Sequence, residues 1–232
     1  AEAARTDLQW IGLSVGGTDL KVDQLRVRDD GVREVVLRAT GAIPLPGLMV
    51  PCTGAPRGIL LLLDDAGKEH ALVRFGAHEL AAQGFHCLAL DLPGTGELAQ
   101  PDQRLLAYMG SGPVQLAGAH LSLMQRFKPL LGDGWLLVPM MLLGDGPFVT
   151  TVMLDPALRG GVRVQSFVAL NALRSWGEVF DRDTTELVAQ PMAANLASLG
   201  RLRDAVESVG LWHFRDDAEP DWRAYLLEAL PR

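Results

Sequence analysis

The chain has 232 residues, enough for one large α/β domain or two small ones with a substantial buried core. Hydrophobic residues make up 48% of it and charged residues 21%, a composition that argues against disorder. The formal net charge of −7, with lysines and arginines scattered among acids, argues against a nucleic-acid partner. The apolar runs are too short to span a bilayer, so we expect no membrane partner.

The cysteines and histidines predict no metal centre. Cys52 and Cys87 are the only cysteines, and no CxxC spacing is present. The pair leaves open one disulfide or two thiols in or near the core. None of the five histidines stands in HExxH or HxH spacing. We therefore expect neither a metal nor a cofactor, and the sequence leaves the cellular compartment open.

Residues 1–56 predict an antiparallel lead-in followed by a connector. Three β-type runs occur at Leu8–Val15, Leu20–Val27 and Arg33–Arg38, separated by turns rich in glycine and aspartate. From Pro44 to Pro56, closely spaced prolines and glycines are typical of a loop. We expect a small meander that leads into the main body of the fold.

Residues 57–232 predict an α/β core in which buried strands alternate with helices. Such alternation requires parallel strand pairs with right-handed crossovers, and so a mostly parallel sheet with helices on both faces. The predicted strands are Arg57–Asp65, Phe85–Asp91, Trp135–Leu143 and Val162–Leu170, and the predicted helices are Lys68–Gln83, Val114–Leu131, Pro147–Leu158, Leu187–Val209 and Trp222–Leu230. Together with the lead-in, this core makes one domain.

Two segments of the core resemble the α/β-hydrolase superfamily. In Gly84–Glu97 a glycine stop and a buried strand lead to Asp91, which opens a D-x-x-G-x-G turn. The segment Leu60–Lys68 looks like the strand and loop that carry the oxyanion-hole backbone groups in that family. The resemblance implies an α/β-hydrolase type of sheet and an oxyanion region at Asp65, Ala66 and Gly67.

The order of elements is similar to that of acetyl-xylan-esterase and dienelactone-hydrolase-like proteins. An antiparallel lead-in, the proline-rich connector Leu45–Pro51 and then the core follow one another in the same way. The resemblance extends from about Pro44 through Trp176. It implies hydrolysis of carboxylic esters, with a small ester or carboxylate as ligand.

The nucleophile elbow of this chain is degenerate. Hydrolases of this fold place a serine in a G-x-S-x-G turn between a strand and a helix. The matching junction is Leu142–Val149, and aligning Gly144 with the first glycine of the motif puts Gly146 where serine belongs. Pro147 follows, and Phe148 stands at the last glycine. Because glycine has no nucleophilic side chain, we do not expect the usual mechanism at this turn.

Asp145 has two interpretations. A shift of one residue makes it the elbow residue, and carboxylate nucleophiles do form ester intermediates. Alternatively, Asp145 is the N-cap of the helix that Pro147 begins. In both cases we expect Asp145-Gly146-Pro147 to form a strand-to-helix turn at the carboxyl edge of the sheet, near the Asp64–Lys68 loop.

His213 is the one late histidine that could serve as a general base. A triad histidine lies in a loop after the last core strand, whereas the aromatic neighbours of His213 equally suit a packed segment. Asp181 or Asp183 is the candidate acid, or a solvated loop residue.

The segment Ile11–Val22 offers a competing resemblance. Its glycine turn is similar to the first phosphate loop of sugar kinases, which presents backbone N–H groups to phosphate. That family has an acidic residue before its glycine pair, where this chain has Ser14. The later strand–helix alternation also departs from that fold, so we expect an ordinary glycine hairpin.

Two functions follow from these residues. The missing serine favours a pseudo-hydrolase, in which the scaffold serves binding, assembly or support of a neighbouring domain. The alternative is an active carboxylic-ester hydrolase whose site is unconventional or completed by a partner. Because the chain begins at Ala1 rather than at methionine, we also consider excision from a tandem protein, with a second hydrolase domain or a second copy as partner.

Overall fold

The computed structural model describes residues 19–99, 113–132, 135, 137–158, 166–171 and 212–215. Strands and helices alternate through most of these residues. The strands are β1 Leu20–Val27, β2 Arg33–Ala39, β3 Leu45–Val50, β4 Gly58–Asp64, β5 Phe85–Leu90, β6 Met140–Asp145, β7 Ser166–Leu170 and β8 Trp212–Arg215. The helices are α1 Lys68–Arg74, α2 Ala77–Ala82, α3 Pro113–Ser122, α4 Met124–Leu131 and α5 Pro147–Leu158, and a short 3₁₀ turn spans Gly96–Leu98.

The eight described strands form one mixed sheet in the order β1-β2-β3-β5-β4-β6-β7-β8. The first three strands and the β3–β5 pair are antiparallel. From β5 through β8 every pairing is parallel. The predicted fold class, a mostly parallel sheet with an antiparallel start, is therefore confirmed.

The sheet is covered on both faces, which explains the unbroken apolar run in β4. All seven residues of this strand are buried. Ile59, Leu61 and Leu63 pack into a cluster that contains residues of α3, α4 and α5. Leu60 and Leu62 pack into a second cluster with residues of α1 and α2. Since successive side chains of a strand point to opposite faces, a strand between two cores needs apolar residues at every position.

The proline-rich connector was predicted as a loop, and part of it is instead strand β3. The strand pairs with β2 on one side and with β5 on the other, so it joins the lead-in to the parallel core. Pro46 is tolerated because it lies just beyond the ladder with β5, whose last pair is Gly47 with Leu90. Its carbonyl still accepts the N–H of Asp91 at 3.0 Å.

Several predicted boundaries were wrong. The helix predicted for Lys68–Gln83 is split into α1 and α2 at Gly76, which has a left-handed conformation. The helix predicted for Val114–Leu131 is split into α3 and α4. Strand β6 begins at Met140 rather than at Trp135, whose ring stacks on His86 at 4.6 Å between centroids. No helix in the described part of the chain is long and apolar enough to cross a membrane.

Strand β8 is an element that the sequence pattern did not predict. It pairs in parallel with β7 and forms the edge of the described sheet. The predicted strand Leu8–Val15 and the predicted helices Leu187–Val209 and Trp222–Leu230 lie outside the described residues. The kinase-like turn at Gly16-Gly17 also lies outside them.

Candidate functional site

The candidate site lies at the carboxyl edge of β4 and β6. Asp64 and Asp145 end these two parallel strands and are opposite each other in the register. Beyond Asp145, the chain turns through Gly146 and enters α5 at Pro147. The backbone N–H of Asp65 donates to the carbonyl of Asp145 at 3.1 Å, which ties the β4–α1 loop to the turn. This is the position that the sequence predicts for the turn.

The turn after β6 depends on the two glycines that flank Asp145. Gly146 has a φ of 108°, a backbone conformation that residues other than glycine rarely adopt. Gly144 lies where strand and helix approach closely, since a Cβ on it would be 2.2 Å from the Met153 sulfur. The passage from β6 into α5 is therefore tight at both glycines.

The carboxylate of Asp65 occupies the space that an elbow side chain would need. A Cβ built on Gly146 would lie 2.4 Å from Cγ of Asp65. The same carboxylate caps helix α5, because the N–H groups of Phe148 and Val149 donate to its two oxygens at 3.0 and 2.8 Å. The cap role that we predicted for Asp145 thus belongs to Asp65, a residue 80 positions earlier in the chain.

Asp145 is bonded elsewhere. The residue is 8% exposed, and its carboxylate accepts hydrogen bonds from Nε of Arg74 at 2.5 Å and from Nδ2 of Asn171 at 2.6 Å. Arg74 ends α1, and Asn171 follows β7 with φ 53. The side chain therefore joins α1 to the exit of β7, and the N-cap interpretation of Asp145 was wrong. Hydrogen bonds to the charged form make a carboxylate a poor nucleophile.

The environment of Asp65 raises its pKa. Burial raises the pKa of this carboxyl most strongly, the backbone N–H groups of Val149 and Phe148 lower it, and the charges of Asp64 and Asp145 raise it further. The net result is a pKa of about 6, against an ordinary value of 3.8. A carboxyl whose pKa is raised towards neutral pH is a feature found at functional sites.

The backbone donors of the predicted oxyanion region are all used within the chain. The N–H of Asp65 donates to the carbonyl of Asp145 at 3.1 Å, and the N–H of Lys68 donates to Oδ1 of Asp91 at 2.6 Å. Between them, the N–H of Ala66 donates to Oδ1 of Asp64 at 2.8 Å and the N–H of Gly67 to the carbonyl of Asp64 at 2.9 Å. On the other side of the turn, Gly146 donates to the carbonyl of Leu170 at 3.1 Å. Pro147 has no N–H to offer. The geometry brings the oxyanion segment and the elbow together, and leaves this set of donors occupied.

A second carboxylate centre lies beside the site, after β5. Asp91 is 1% exposed and accepts Nζ of Lys68 at 2.8 Å and the N–H of Glu97 at 3.1 Å. Lys68 also forms an ion pair with Glu97. Burial lowers the pKa of Lys68, but its bonds to Asp91 and Glu97 outweigh that effect and raise it overall. Asp91 and Glu97 of the D-x-x-G-x-G turn thus hold the β4–α1 loop in place through Lys68.

His213 lies within a strand and not in a loop. Its backbone pairs with Val168 of β7, two positions before Arg215, where β8 ends. A triad histidine needs to stand beyond the carboxyl end of its strand to reach the elbow. The backbone position therefore differs from the loop position that the general-base interpretation requires. Asp181 and Asp183 lie outside the described residues.

His70 contacts one carboxylate of the site, that of Asp64. Nδ1 of His70 lies 2.7 Å from Oδ2 of Asp64. Within the described ranges, no group of three or more His, Cys, Asp or Glu residues is arranged to hold a metal ion. Cys52 and Cys87 are free thiols, and burial raises the pKa of Cys87 to about 12.

The sheet order, the elbow after β6 and the aspartate turn after β5 together decide the fold. The chain has an α/β-hydrolase-like fold. The alignment with an acetyl xylan esterase from Paenibacillus sp. R4 covers 90% of this chain and 71% of the esterase chain, with a TM-score of 0.58 and 11% identity. Acetyl xylan esterase 1 from Thermoanaerobacterium sp. covers 90% and 69%, with a TM-score of 0.56 and 13% identity.

A third structure with this hydrolase-like fold is a cold-adapted esterase from an Arctic intertidal metagenomic library. The alignment covers 91% of this chain and 98% of that esterase, with a TM-score of 0.55 and 18% identity. No protein-family model matches the sequence, and the comparison with curated proteins gives no match. At these identities the likeness establishes the fold.

Sequence reasoning missed the role of Asp65 and the two partners of Asp145. Asp65 was placed in the oxyanion region for its backbone, whereas its side chain fills the elbow. A signal was present in the sequence, because an acidic residue stands where a loop of this type needs only backbone groups. Nothing in the sequence pattern linked Arg74 or Asn171 to Asp145, since those contacts join separate elements.

Proposed function

We propose that the chain is a pseudo-hydrolase, a hydrolase-fold domain that serves binding, assembly or support of a neighbouring domain and does not hydrolyse esters at its elbow. One observation carries the proposal. The side chain of Asp65 stands where the nucleophile of an active elbow would stand, 2.4 Å from a Cβ on Gly146. A site filled by its own loop cannot admit an ester carbonyl to that position.

The occupied backbone donors support the same proposal. Acyl transfer needs preorganised N–H groups directed at the oxygen on which negative charge develops. In this fold, one donor comes from the residue after the nucleophile, and that residue is Pro147. The next two N–H groups, of Phe148 and Val149, are directed at Asp65. An oxyanion would compete with a carboxylate that is already part of the chain.

The alternative, an active carboxylic-ester hydrolase, is favoured by a different property of the same residue. Asp65 has a pKa of about 6 and lies at the elbow, so it is better placed than Asp145 to act as a carboxylate nucleophile or base. Its two oxygens, however, each accept a backbone N–H, which weakens their nucleophilicity. A partner that displaced Asp65 could complete such a site.

Hydrolysis of short-chain p-nitrophenyl esters by the purified full chain tests the proposal. We expect the rate to be the same for the wild type and for Asp65→Ala, Asp145→Ala and the control Asp29→Ala, in which an exposed turn residue is changed. We also expect no labelling by a fluorophosphonate probe. Turnover that disappears in Asp65→Ala or Asp145→Ala and persists in Asp29→Ala would overturn the proposal. Labelling of a serine would overturn it as well.

A further inference from the structure

We propose that His70 and Asp64 form a general-base site beside the elbow turn, which takes a proton from a small, neutral organic substrate. We use the term His70 dyad for these two side chains. Nδ1 of His70 lies 2.7 Å from Oδ2 of Asp64. His70 belongs to α1, and Asp64 ends β4. The inference goes beyond the proposed function, because the dyad contains no residue of the turn between β6 and α5.

The contact with Asp64 decides which nitrogen of His70 is basic. An ionised carboxylate only accepts hydrogen bonds, so Nδ1 of His70 donates to Asp64. In a neutral imidazole the other nitrogen, Nε2, then has no proton and can accept one. Asp64 is itself held in place, because its Oδ1 accepts the N–H of Ala66 at 2.8 Å. The carboxylate therefore fixes both the orientation of the ring and its proton.

The two members of the dyad differ in exposure as proton transfer requires. The side chain of Asp64 is 6% exposed, whereas that of His70 is 59% exposed. A substrate in solution can therefore reach the imidazole. When Nε2 takes a proton, the ring becomes an imidazolium with a buried negative charge beside it, and this arrangement stabilises the product of the proton transfer.

The face of α1 next to His70 indicates the kind of substrate. Val73 follows His70 by three positions and so lies on the same face of the helix. It is 75% exposed, which gives the base an apolar neighbour that is open to solvent. Arg74, one position further, bonds Asp145 and places this face beside the elbow turn. A small substrate with an apolar surface fits these neighbours.

The occupied backbone donors nearby favour proton abstraction over acyl transfer. Acyl transfer needs N–H groups directed at a developing oxyanion, and those of Asp65–Lys68 are already used. Abstraction of a proton from carbon does not need them when the negative charge spreads over the substrate itself. The class of substrate is therefore a carbon acid, a molecule with an acidic C–H bond and a conjugated group that accepts the charge.

The probe 5-nitrobenzisoxazole has both properties. Nε2 of His70 takes the proton from C3 of the probe, and the electron pair of that C–H bond forms the third bond of a nitrile. The N–O bond breaks, and its electron pair stays on the oxygen as a nitrophenolate. The imidazolium then returns its proton to water, so the dyad is regenerated without any further reactant.

Elimination of this probe by the purified full chain tests the proposal, with the nitrophenolate followed by absorbance at about pH 8, where an ordinary imidazole is neutral. We expect His70→Ala to lower the second-order rate constant by about tenfold, less than an enclosed general base contributes, because this site is open to water. The matched control His78→Ala should keep the rate. The side chain of His78 is also exposed, at 49%, but its Nε2 lies 3.9 Å from an exposed carboxylate, that of Asp30.

Asp64→Asn separates the dyad from a lone imidazole. Asparagine keeps an oxygen for the N–H groups of His70 and Ala66, but it has no negative charge to stabilise the imidazolium. We expect the rate constant to fall towards that of His70→Ala, while the far-UV circular dichroism spectrum stays that of the wild type. An unchanged rate in Asp64→Asn would overturn the dyad, since His70 would then act as any surface histidine does.

Equal rates for His70→Ala and His78→Ala also overturn the proposal. If a variant does not fold, modification of the wild type by diethyl pyrocarbonate decides the matter, with the sites read by mass spectrometry. We expect His70 to react before His78 and the elimination rate to fall as His70 reacts. A rate that survives modification of His70 contradicts the dyad. None of these results depends on ester hydrolysis by the Asp65 and Asp145 variants, so failure of the dyad and failure of the pseudo-hydrolase proposal are distinguishable.

Discussion

Asp91 and Asp65 each follow a core strand of the sheet, and each carboxylate accepts two backbone N–H groups. The donors to Asp91 are Lys68 and Glu97, and the donors to Asp65 are the N–H groups at the start of α5. Asp91 is almost fully buried and has a buried ammonium, Lys68, at 2.8 Å. Asp65 is half-buried, and the charges that act on it most are the carboxylates of Asp64 and Asp145. The negative charge of Asp91 is therefore neutralised by Lys68 and serves the structure, whereas the negative charge of Asp65 is opposed by burial and by neighbouring carboxylates.

The largest effect should come from breaking the neutralised turn. Asp91→Ala leaves Lys68, which is 6% exposed, without its buried counter-ion, and removes the acceptor of two backbone N–H groups. We expect a loss of about 3–5 kcal/mol in the free energy of unfolding, measured by urea denaturation. A loss under about 1 kcal/mol, as for an exposed pair, would contradict the central role given to this carboxylate.

A serine placed at position 146 should destabilise the fold. Gly146→Ser places a Cβ at φ 108 and against the Asp65 carboxylate, which we expect to cost about 2–4 kcal/mol. The control is Gly31→Ser, at φ +82 with nothing within 4 Å of the new Cβ, which tests the backbone strain alone. Thermal unfolding measures both variants.

A double-mutant cycle sharpens this prediction. If Asp65 fills the elbow, Asp65→Gly should recover about 1 kcal/mol or more of the loss caused by Gly146→Ser. If the proposed function is correct, the double variant should show no esterase activity, since Pro147 supplies no N–H. Additive effects of the two substitutions would show that the serine and the carboxylate do not compete for the same space.

The charge on Asp65 should make the stability of the protein depend on pH in a predictable direction. Its pKa is raised from 3.8 to about 6 in the folded state, so the stabilising contribution of its proton is complete below pH 3.8 and is lost as the pH rises through 6. We expect the wild type to lose roughly 2–3 kcal/mol from this group over that interval. Urea denaturation at several pH values measures it.

Asp65→Asn removes this titration. The variant should therefore gain stability relative to the wild type as the pH is raised from about 5 to about 8, while Asp29→Asn should follow the wild type. Parallel curves for the wild type and Asp65→Asn would mean that burial does not oppose the charge of Asp65.

The smallest expected effect on stability comes from Glu97, the exposed carboxylate beside Asp91 and Lys68. Glu97 is 67% exposed in its ion pair with Lys68. We expect Glu97→Gln to change the free energy of unfolding by less than about 1 kcal/mol, and less again at high salt. A loss comparable to that of Asp91→Ala would show that the neutralisation of Lys68 depends on both carboxylates equally.

The sequence predicted β1 with its observed bounds, β2 to within one residue, and most of the strands of the core. β4 and β5 were recognised because strands buried on both faces need unbroken apolar runs. Helix α5 was predicted with its observed bounds, since Pro147 suits a first helical turn. β3 and β8 were missed, because their pairing depends on neighbouring strands and not on a strong pattern of their own.

The candidate site was predicted in part. The turn at Gly144–Pro147 and its position near the β4–α1 loop follow from glycine spacing and from the strand that precedes them. The assignment of the cap to Asp145 was wrong, because local rules favour the nearest acidic residue. Asp65 is distant in sequence and is brought to the helix only when β4 and β6 pair in parallel.

The sequence by itself determined the fold class and the glycine turn after β6, since these depend on local apolar patterns and on single residue identities. Only the tertiary structure decided which carboxylate occupies the elbow, which groups hold Asp145 and why the pKa of Asp65 is raised. The physical reason is that burial, hydrogen bonding and charge act through space. Residues from β4, α1, α5 and the end of β7 meet at one sheet edge, and their separation along the chain hides that meeting.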